Sequence, residues 1–175
     1  MIRFLVRAVL ALVILVCVAY GVGLTMPRDH LVASRINLAA SPDSVFSVLR
    51  AFGDYPNWDR DFSSSVRGKS SSGREVWVQE TTGMTMSIEV KESRAPSRLV
   101  TEVVTGEKSV WGGEWTYEVK STGAGTEVTI TERGWIKSPP FRVLMKLMGP
   151  YRTADRVLKN LGAKFDEVVT PTHVR

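Results

Sequence analysis

Cysteine and histidine are scarce in this 175-residue chain. The single cysteine, Cys17, lies in an apolar N-terminal segment, so the rest of the chain has neither a disulfide nor thiolates for a metal site. His30 and His173 lie at the margins of the expected folded part, which excludes a histidine metal cluster and a Ser/His/Asp triad. We therefore predict no metal and no cofactor.

A strong excess of charge is also missing. The formal net charge is +5, and without Arg3 and Arg7 of the N-terminal segment 21 basic residues face 18 acidic ones, which leaves +3. This excess is too small to indicate a nucleic-acid partner. Apolar residues make up 43% and charged residues 23%, as in ordinary globular proteins. The length suits one domain with an appendage, and the oligomeric state stays open.

The N-terminal segment is the longest apolar run. Residues 8–24 contain no charge, and with residues 4–6 they are long enough to cross a bilayer as a helix if Arg7 reaches the surface. We predict a transmembrane anchor over residues 1–26. Arg3 and Arg7 precede the run, whereas residues 27–29 carry no net charge, so the N-terminus is expected in the cytoplasm and the domain outside it.

Two other interpretations of this segment stay open. A basic start and an apolar core are also typical of a cleaved signal peptide, for which residues 17–19 offer a cleavage site. A buried core helix is the third interpretation, although the segment has no polar face. After the anchor we predict a linker at 27–31, a folded domain at 32–168 and a tail at 169–175.

Alternating apolar and polar residues predict a series of strands in the domain. These strands cover residues 32–38, 74–81, 84–94, 97–105, 111–121 and 126–136, and residues 63–73 are expected to form a short strand and an exposed hairpin connection. Ser41-Pro42-Asp43 starts a short helix that ends at Gly53, and a second helical piece follows it. Successive strands with short turns predict an antiparallel meander in an α+β fold.

A final helix of about 30 residues is predicted over 138–168. One face is apolar and the opposite face is basic. The apolar positions are Leu144, Leu147, Tyr151, Ala154, Leu158, Leu161 and Phe165, and the basic ones are Arg142, Lys146, Arg152, Arg156, Lys159 and Lys164. Gly149-Pro150 should kink this helix. A long helix across a curved sheet encloses a space, which indicates a ligand.

Several short motifs resemble one superfamily. They are ASPDSVF at 40–46, DYPNW at 54–58, WGGEWTY at 111–117, TERG at 131–134 and PFR at 140–142. Over residues 32–168 the chain resembles the polyketide cyclase/dehydrase branch of the START-like (SRPBCC) superfamily. The resemblance implies a helix-grip fold, similar to Bet v 1, in which a curved antiparallel sheet closes on a long C-terminal helix around an apolar cavity. Members bind lipids, sterols, polyketides, hormones or quinones, and some catalyse cyclisation or dehydration. No catalytic motif of the enzymatic members is visible, so we assign no catalytic residue.

The strands supply the first set of candidate ligand-binding residues. Met84, Met86, Ile88, Trp115, Tyr117 and Ile130 would line an adaptable pocket wall, and ordinary core packing is the alternative. Glu132 points inward if the alternation continues, where it could orient a polar ligand group or act as an acid. Alternatively, a bulge at Gly134 turns Glu132 outward towards Arg133 or Arg142. Gly112-Gly113 predicts a strand bend or a cavity mouth.

The first half of the final helix supplies the second set. Phe141, Leu144, Met145 and Met148 lie before the Gly149-Pro150 kink, and we expect them to form a movable cover over the cavity mouth. The basic face of the same helix would be solvated or lie against anionic lipid.

Three functions are compatible with these features. The preferred one is a membrane-anchored START-like domain that binds an apolar small molecule or a lipid, without a required reaction. The second is a cyclase or dehydratase that uses Glu132 in the same cavity. The third is an interaction module whose cavity is filled by its own side chains, including Trp77, Trp111, Trp115, Trp135 and Phe141.

Overall fold

The computed structural model describes residues 1–70 and 73–174. Ser71 and Ser72 of the predicted hairpin connection, and Arg175 of the predicted tail, lie outside the described residues. The helices are α1 (Ile2–Thr25), α2 (Pro42–Arg50), α3 (Pro139–Met148) and α4 (Arg152–Lys164), with a 3₁₀ helix at Phe52–Asn57. The strands are β1 (Asp29–Leu38), β2 (Phe62–Arg67), β3 (Val76–Thr81), β4 (Met84–Arg94), β5 (Arg98–Val103), β6 (Trp111–Thr122), β7 (Gly125–Ile136) and β8 (Thr172–Val174).

The eight strands form one curved antiparallel sheet in the order β2-β3-β4-β5-β6-β7-β1-β8. The α+β fold and the meander are therefore confirmed, and the bounds of β4 match the predicted 84–94. Two details differ from the prediction. β1 begins at Asp29, inside the expected linker, and β8 pairs with β1 from within the expected tail.

The helix start at Ser41 follows the prediction. The Ser41 hydroxyl accepts a hydrogen bond from the Ser44 amide at 3.3 Å, which satisfies one of the free donors at the start of α2. Val45, Phe46 and Leu49 are the buried face of this helix. They join the apolar face of the sheet and the buried residues of α4 in one core that also includes Phe52 and Leu158.

The glycines do not interrupt the sheet where bends were expected. The β6–β7 pairing runs without a shift from Trp111–Ile136 to Thr122–Gly125, so neither Gly112-Gly113 nor Gly134 forms a bulge. Register shifts occur instead between Phe62 and Ser64 and between Val90 and Glu92. A side chain at Gly112 would collide with the Trp135 ring, which explains a glycine there by close packing.

The single long C-terminal helix was a wrong prediction. Gly149 adopts φ +93°, a conformation that favours glycine, and it separates α3 from α4. Ala154, Leu158 and Leu161 of the predicted apolar stripe are fully buried in α4, whereas Leu144 and Leu147 of α3 are exposed. The predicted kink at Gly149-Pro150 is thus a complete break. α3 packs against α1, whereas α4 packs against β1 and β7 of the sheet.

Candidate functional site

The inner face of the sheet is built from two neighbouring rows of paired residues. Thr101, Trp115, Glu132 and Val32 form one row across β5, β6, β7 and β1, and Leu99, Tyr117, Ile130 and Ser34 form the next. We call this surface the inner wall. All its members are buried except Trp115, which is half-buried and packs against the core. Side chains in diagonal positions of such rows lie roughly 7–8 Å apart, within reach of long or aromatic groups.

Glu132 is the charged residue of the inner wall. Its residue exposure is 9%, so the alternation along β7 that predicted an inward side chain is confirmed. The His30 Nε2 lies 3.2 Å from its Oε1. Its buried Oε2 has no hydrogen-bond partner among the residues that the structure describes. A buried carboxylate oxygen without a partner is costly, and it is a feature that a ligand can relieve.

Neither predicted partner of Glu132 contacts it. The Arg142 guanidinium donates instead to the backbone carbonyls of Ile136, Lys137, Gly23 and Met26. Arg142 is 6% exposed, so its place on an outer basic face was also a wrong prediction. Arg133 is exposed because it alternates with Glu132 along the strand.

His30 is the site residue that the sequence analysis missed. It pairs with Gly134 across β1 and β7, and its imidazole ring occupies the space that a Gly134 side chain would take. Its side chain is 30% exposed, so it connects buried Glu132 with the solvent. Extending β1 to residue 29 and counting the register back from Leu38 would have placed His30 opposite Gly134. The expected linker at 27–31 hid this pairing.

Tyr117 and Asp59 extend the polar part of the interior. Burial raises the pKa of the Tyr117 hydroxyl, and the negative charges of Asp59 and Glu132 raise it further, so the phenol stays neutral. Asp59 is fully buried and its Oδ1 accepts a hydrogen bond from Asn160 of α4 at 2.7 Å. We call His30, Asp59, Tyr117, Glu132 and Asn160 the inner polar cluster. It offers a neutral hydroxyl, two carboxylates and an imidazole beside an apolar wall.

The predicted site residues divide into two groups. Ile88, Tyr117 and Ile130 are buried in the core, Met86 and Trp115 are half-buried against it, and Met84 is 46% exposed at the start of β4. Trp115 pairs with Glu132, and Tyr117 and Ile130 lie in the neighbouring row. The three β4 residues lie three strands away from Glu132.

The four predicted residues of α3 lie elsewhere. Phe141 and Met145 are half-buried, Leu144 and Met148 are exposed, and none belongs to the core. α3 packs against α1 rather than over the inner wall, because its Pro139 and Arg142 face the last turn of α1. The geometry does not join these four residues with the strand residues in one site.

Surface grooves lie on both sides of the sheet in the described part of the chain. One of about 460 Å³ lies between the 3₁₀ helix and α4 and is lined by Pro56, Trp58, Asn160 and Lys164, among others. The other, of about 240 Å³, lies on the outer face of the sheet beside Arg98 and Arg133. Neither groove is lined by Glu132. Trp77 and Trp111, which were considered as cavity fillers, pack against the core together with Trp115.

A comparison with known protein families assigns the chain to one of them. Residues 29–166 match the family described as polyketide cyclase / dehydrase and lipid transport. The chain belongs to this family. The match confirms the resemblance inferred from the short motifs, and its start at residue 29 coincides with the start of β1. No curated protein matches the sequence.

Several solved structures share the fold of this chain. A START superfamily protein from Mycobacterium smegmatis is 19% identical, with a TM-score of 0.63 over 77% of this chain and 96% of that one. The Zhui aromatase/cyclase from Streptomyces sp. R1128 is 11% identical, with a TM-score of 0.60 over 78% and 93%. The di-domain aromatase/cyclase StfQ of the steffimycin biosynthetic pathway is 13% identical, with a TM-score of 0.63 over 77% of this chain and 49% of that one. Family and fold are those of ligand-binding or cyclase domains.

Proposed function

We propose that this chain is a membrane-anchored START-like domain that binds an apolar small molecule or a lipid at the inner wall. The observation that carries the proposal is the buried Glu132, whose Oε2 lacks a hydrogen-bond partner in the described part of the chain. A ligand with one hydroxyl or ammonium group and an apolar body would donate to this oxygen and pack against the half-buried Trp115, which pairs with Glu132.

Met86 and Trp115 mark the route by which we expect the ligand to enter. Both are half-buried beside the core, and methionine side chains adapt readily to different shapes. Burying apolar ligand surface there would supply most of the affinity, at about 25 cal/mol per Å². Glu132 would set the orientation of the ligand.

The anchor is the second part of the proposal. α1 is the one helix among the described residues that is long and apolar enough to cross a membrane. None of its most apolar 18-residue stretch is buried in the domain, and the buried Gly23 lies in its last turn. An exposed apolar helix of this length requires a cover, and a bilayer supplies it. Arg3 and Arg7 at its start favour a cytoplasmic N-terminus with the domain outside.

Binding can be tested with the full chain in detergent. Native mass spectrometry after mild purification, followed by titration with a sterol, a long-chain fatty alcohol and an aromatic polyketide, should show at least one bound probe. Glu132→Gln should weaken that probe about tenfold, since a lost charged hydrogen bond of this kind is worth about 1.5 kcal/mol. Glu127→Gln makes the same change on the outer face of β7, where Glu127 pairs with Arg35, and should leave binding unchanged. A chain that purifies empty and binds none of the probes contradicts the proposal and favours the interaction module.

A cyclase or dehydratase is the second candidate function. The His30 Nε2 lies 3.2 Å from the Glu132 carboxylate and is partly exposed, a geometry that can pass a proton between a buried substrate and water. Incubation with a linear poly-β-ketone thioester should then give a cyclised or dehydrated product. Both Glu132→Gln and His30→Gln should suppress this product, whereas a pure binding protein would retain the probe and release it unchanged.

A further inference from the structure

The last turn of α1 packs against the start of α3 at very short range. A side chain at Gly23 would collide with the carbonyl of Pro139, so glycine allows the two backbones to meet. Ala19, one turn earlier, is half-buried. Small residues spaced four apart are typical of closely packed membrane helices. α3 is therefore attached to α1 itself rather than only to the domain.

Arg142 fastens this contact. Its guanidinium donates to Gly23 O at 3.0 Å and Met26 O at 3.1 Å, which are carbonyls at the C-terminal end of α1. It also donates to Ile136 O and Lys137 O, both at 2.8 Å, at the end of β7. A cation at this position supplies further donors to the terminal carbonyls of α1 and opposes the negative end of the helix dipole. One buried side chain thus joins α1, β7 and α3.

The connection between α1 and β1 is short. Three residues separate Thr25 from Asp29, and such a segment spans at most about 14 Å from Cα to Cα. The Ile136 amide also donates to Arg28 O at 2.9 Å. If α1 crosses a bilayer, as proposed above, α3 must lie at the level where α1 leaves the apolar layer.

α3 presents an apolar surface on the side away from α1. Leu144, Leu147 and Met148 are 48%, 81% and 42% exposed. At about 100° per residue all three lie more than 100° around the helix from Arg142. Val110, which is 53% exposed, lies at the same end of the sheet, because its carbonyl accepts a hydrogen bond from the Lys137 amide.

We infer that α3 is an interfacial membrane helix, whose Leu144, Leu147 and Met148 side chains sit at the boundary between headgroups and acyl chains. The bilayer is the occupant because this surface continues directly from the proposed transmembrane helix. The exposed Lys146 lies on the same helix and suits the phosphate layer of the lipids. The inference rests on the anchor proposed above and adds a second, lateral contact with the membrane.

A fluorescent label at Leu147 tests the inference in the full chain. Cys17→Ser removes the native thiol, and Leu147→Cys then carries an environment-sensitive nitrobenzoxadiazole label in vesicles of phosphatidylcholine and phosphatidylglycerol. Lys120→Cys is the matched control, because exposed Lys120 lies near the hairpin at the far end of β6, about 30 Å along the strand from Trp111. Nitroxide-labelled acyl chains should quench the Leu147 label at least fivefold more strongly than the Lys120 label.

Flotation of the same vesicles separates this inference from the anchor. Protein that floats with lipid after alkaline carbonate treatment, but whose Leu147 label is quenched no more than the Lys120 label, overturns the inference and leaves the anchor intact. Protein that does not float overturns both. A second readout comes from Leu147→Asp, which changes an exposed position and should preserve folding. It should weaken quenching of a label placed at Val110→Cys, and unchanged quenching there would also contradict the inference.

Discussion

α3 and α4 follow one another along the chain and are both amphipathic, yet they bury opposite kinds of surface. α4 places Ala154, Leu158 and Leu161 in the core of the domain. α3 buries an arginine and leaves Leu144 and Leu147 exposed. The comparison shows that apolar periodicity identifies a helix face that has to pack against something, but not its partner. For α4 the partner is the sheet, whereas the apolar face of α3 does not pack on the sheet.

The largest expected effect tests this contrast directly. Leu158→Ala should lower the free energy of unfolding by about 3–4 kcal/mol, because it leaves a cavity at a fully buried position. Leu147→Ala, the same substitution in α3, should change it by less than about 0.5 kcal/mol. Urea unfolding of the full chain in detergent measures both. Equal losses would mean that α3 also packs into the core.

The second prediction concerns the guanidinium that holds α3. Arg142→Met should cost about 2–3 kcal/mol, because four backbone carbonyls lose a charged donor and some remain buried. Hydrogen exchange should rise in the last turn of α1 and in α3 but not in α4. Arg152→Met, at an exposed base on α4, is the control and should be neutral. Increased exchange throughout α4 would show that the two helices are not held independently.

The third prediction concerns Glu75, a carboxylate outside both helices whose contribution to the stability of the domain depends on pH. Burial alone would raise the pKa of Glu75, but hydrogen bonds from Arg50 and Trp77 and the charges of Arg50 and Arg67 outweigh it and lower the pKa below its usual 4.5. A carboxylate of this kind stabilises the fold above about pH 4.5, and the contribution is lost as the pH falls through the lowered pKa. Its partners lie outside α3 and α4.

Glu75→Gln should therefore cost about 2 kcal/mol at pH 7, and the difference from the unmodified chain should shrink below pH 4.5. Thermal unfolding across pH 3–7 measures this. Glu107→Gln in an exposed loop is the control. If, in the Glu75→Gln background, Leu158→Ala and Leu147→Ala lowered the free energy of unfolding equally, the packing of α4 would depend on the contacts of Glu75.

The smallest expected effect concerns the polar contact of α4. The Ser34 hydroxyl donates to Asp155 Oδ1 at 2.6 Å, and His173 of β8 lies 3.0 Å from Oδ2 of the same carboxylate. Ser34→Ala should cost about 1 kcal/mol by chemical denaturation, since the half-buried Asp155 carboxylate keeps its second partner, His173. Ser121→Ala at an exposed strand position should have no effect. A loss as large as that of Leu158→Ala would mean that polar contacts, rather than apolar burial, hold α4.

The strands were predictable because one face of each is buried and the other is solvated. The alternation at Val128 and Ile130 offered an inward Glu132 as one of two interpretations, and the unbroken β6–β7 pairing selects it over the outward turn at Gly134. The partner of Glu132 was not predictable from local pattern. It depends on the pairing of β1 with β7, which sets His30 opposite Gly134 from 104 positions earlier in the chain.

The break between α3 and α4 illustrates the same limit. The periodic apolar residues continue through Gly149-Pro150, and a local rule joins them into one helix with a kink. Gly149 at φ +93° ends α3, and α3 then packs against α1 through Pro139 and Gly23, a contact that no periodicity within residues 138–168 encodes. The stripe was correct where the sheet is the partner, and it was wrong where α1 takes that place.

The three-residue connection between α1 and β1 has one more consequence. A long flexible linker lets a domain rotate independently of its anchor. Here the short segment and the buried Arg142 guanidinium couple the domain rigidly to α1. Any rotation of α1 about its own axis carries the sheet with it. A neighbouring helix that binds one side of α1 would therefore fix the rotational orientation of the whole domain about the axis of α1.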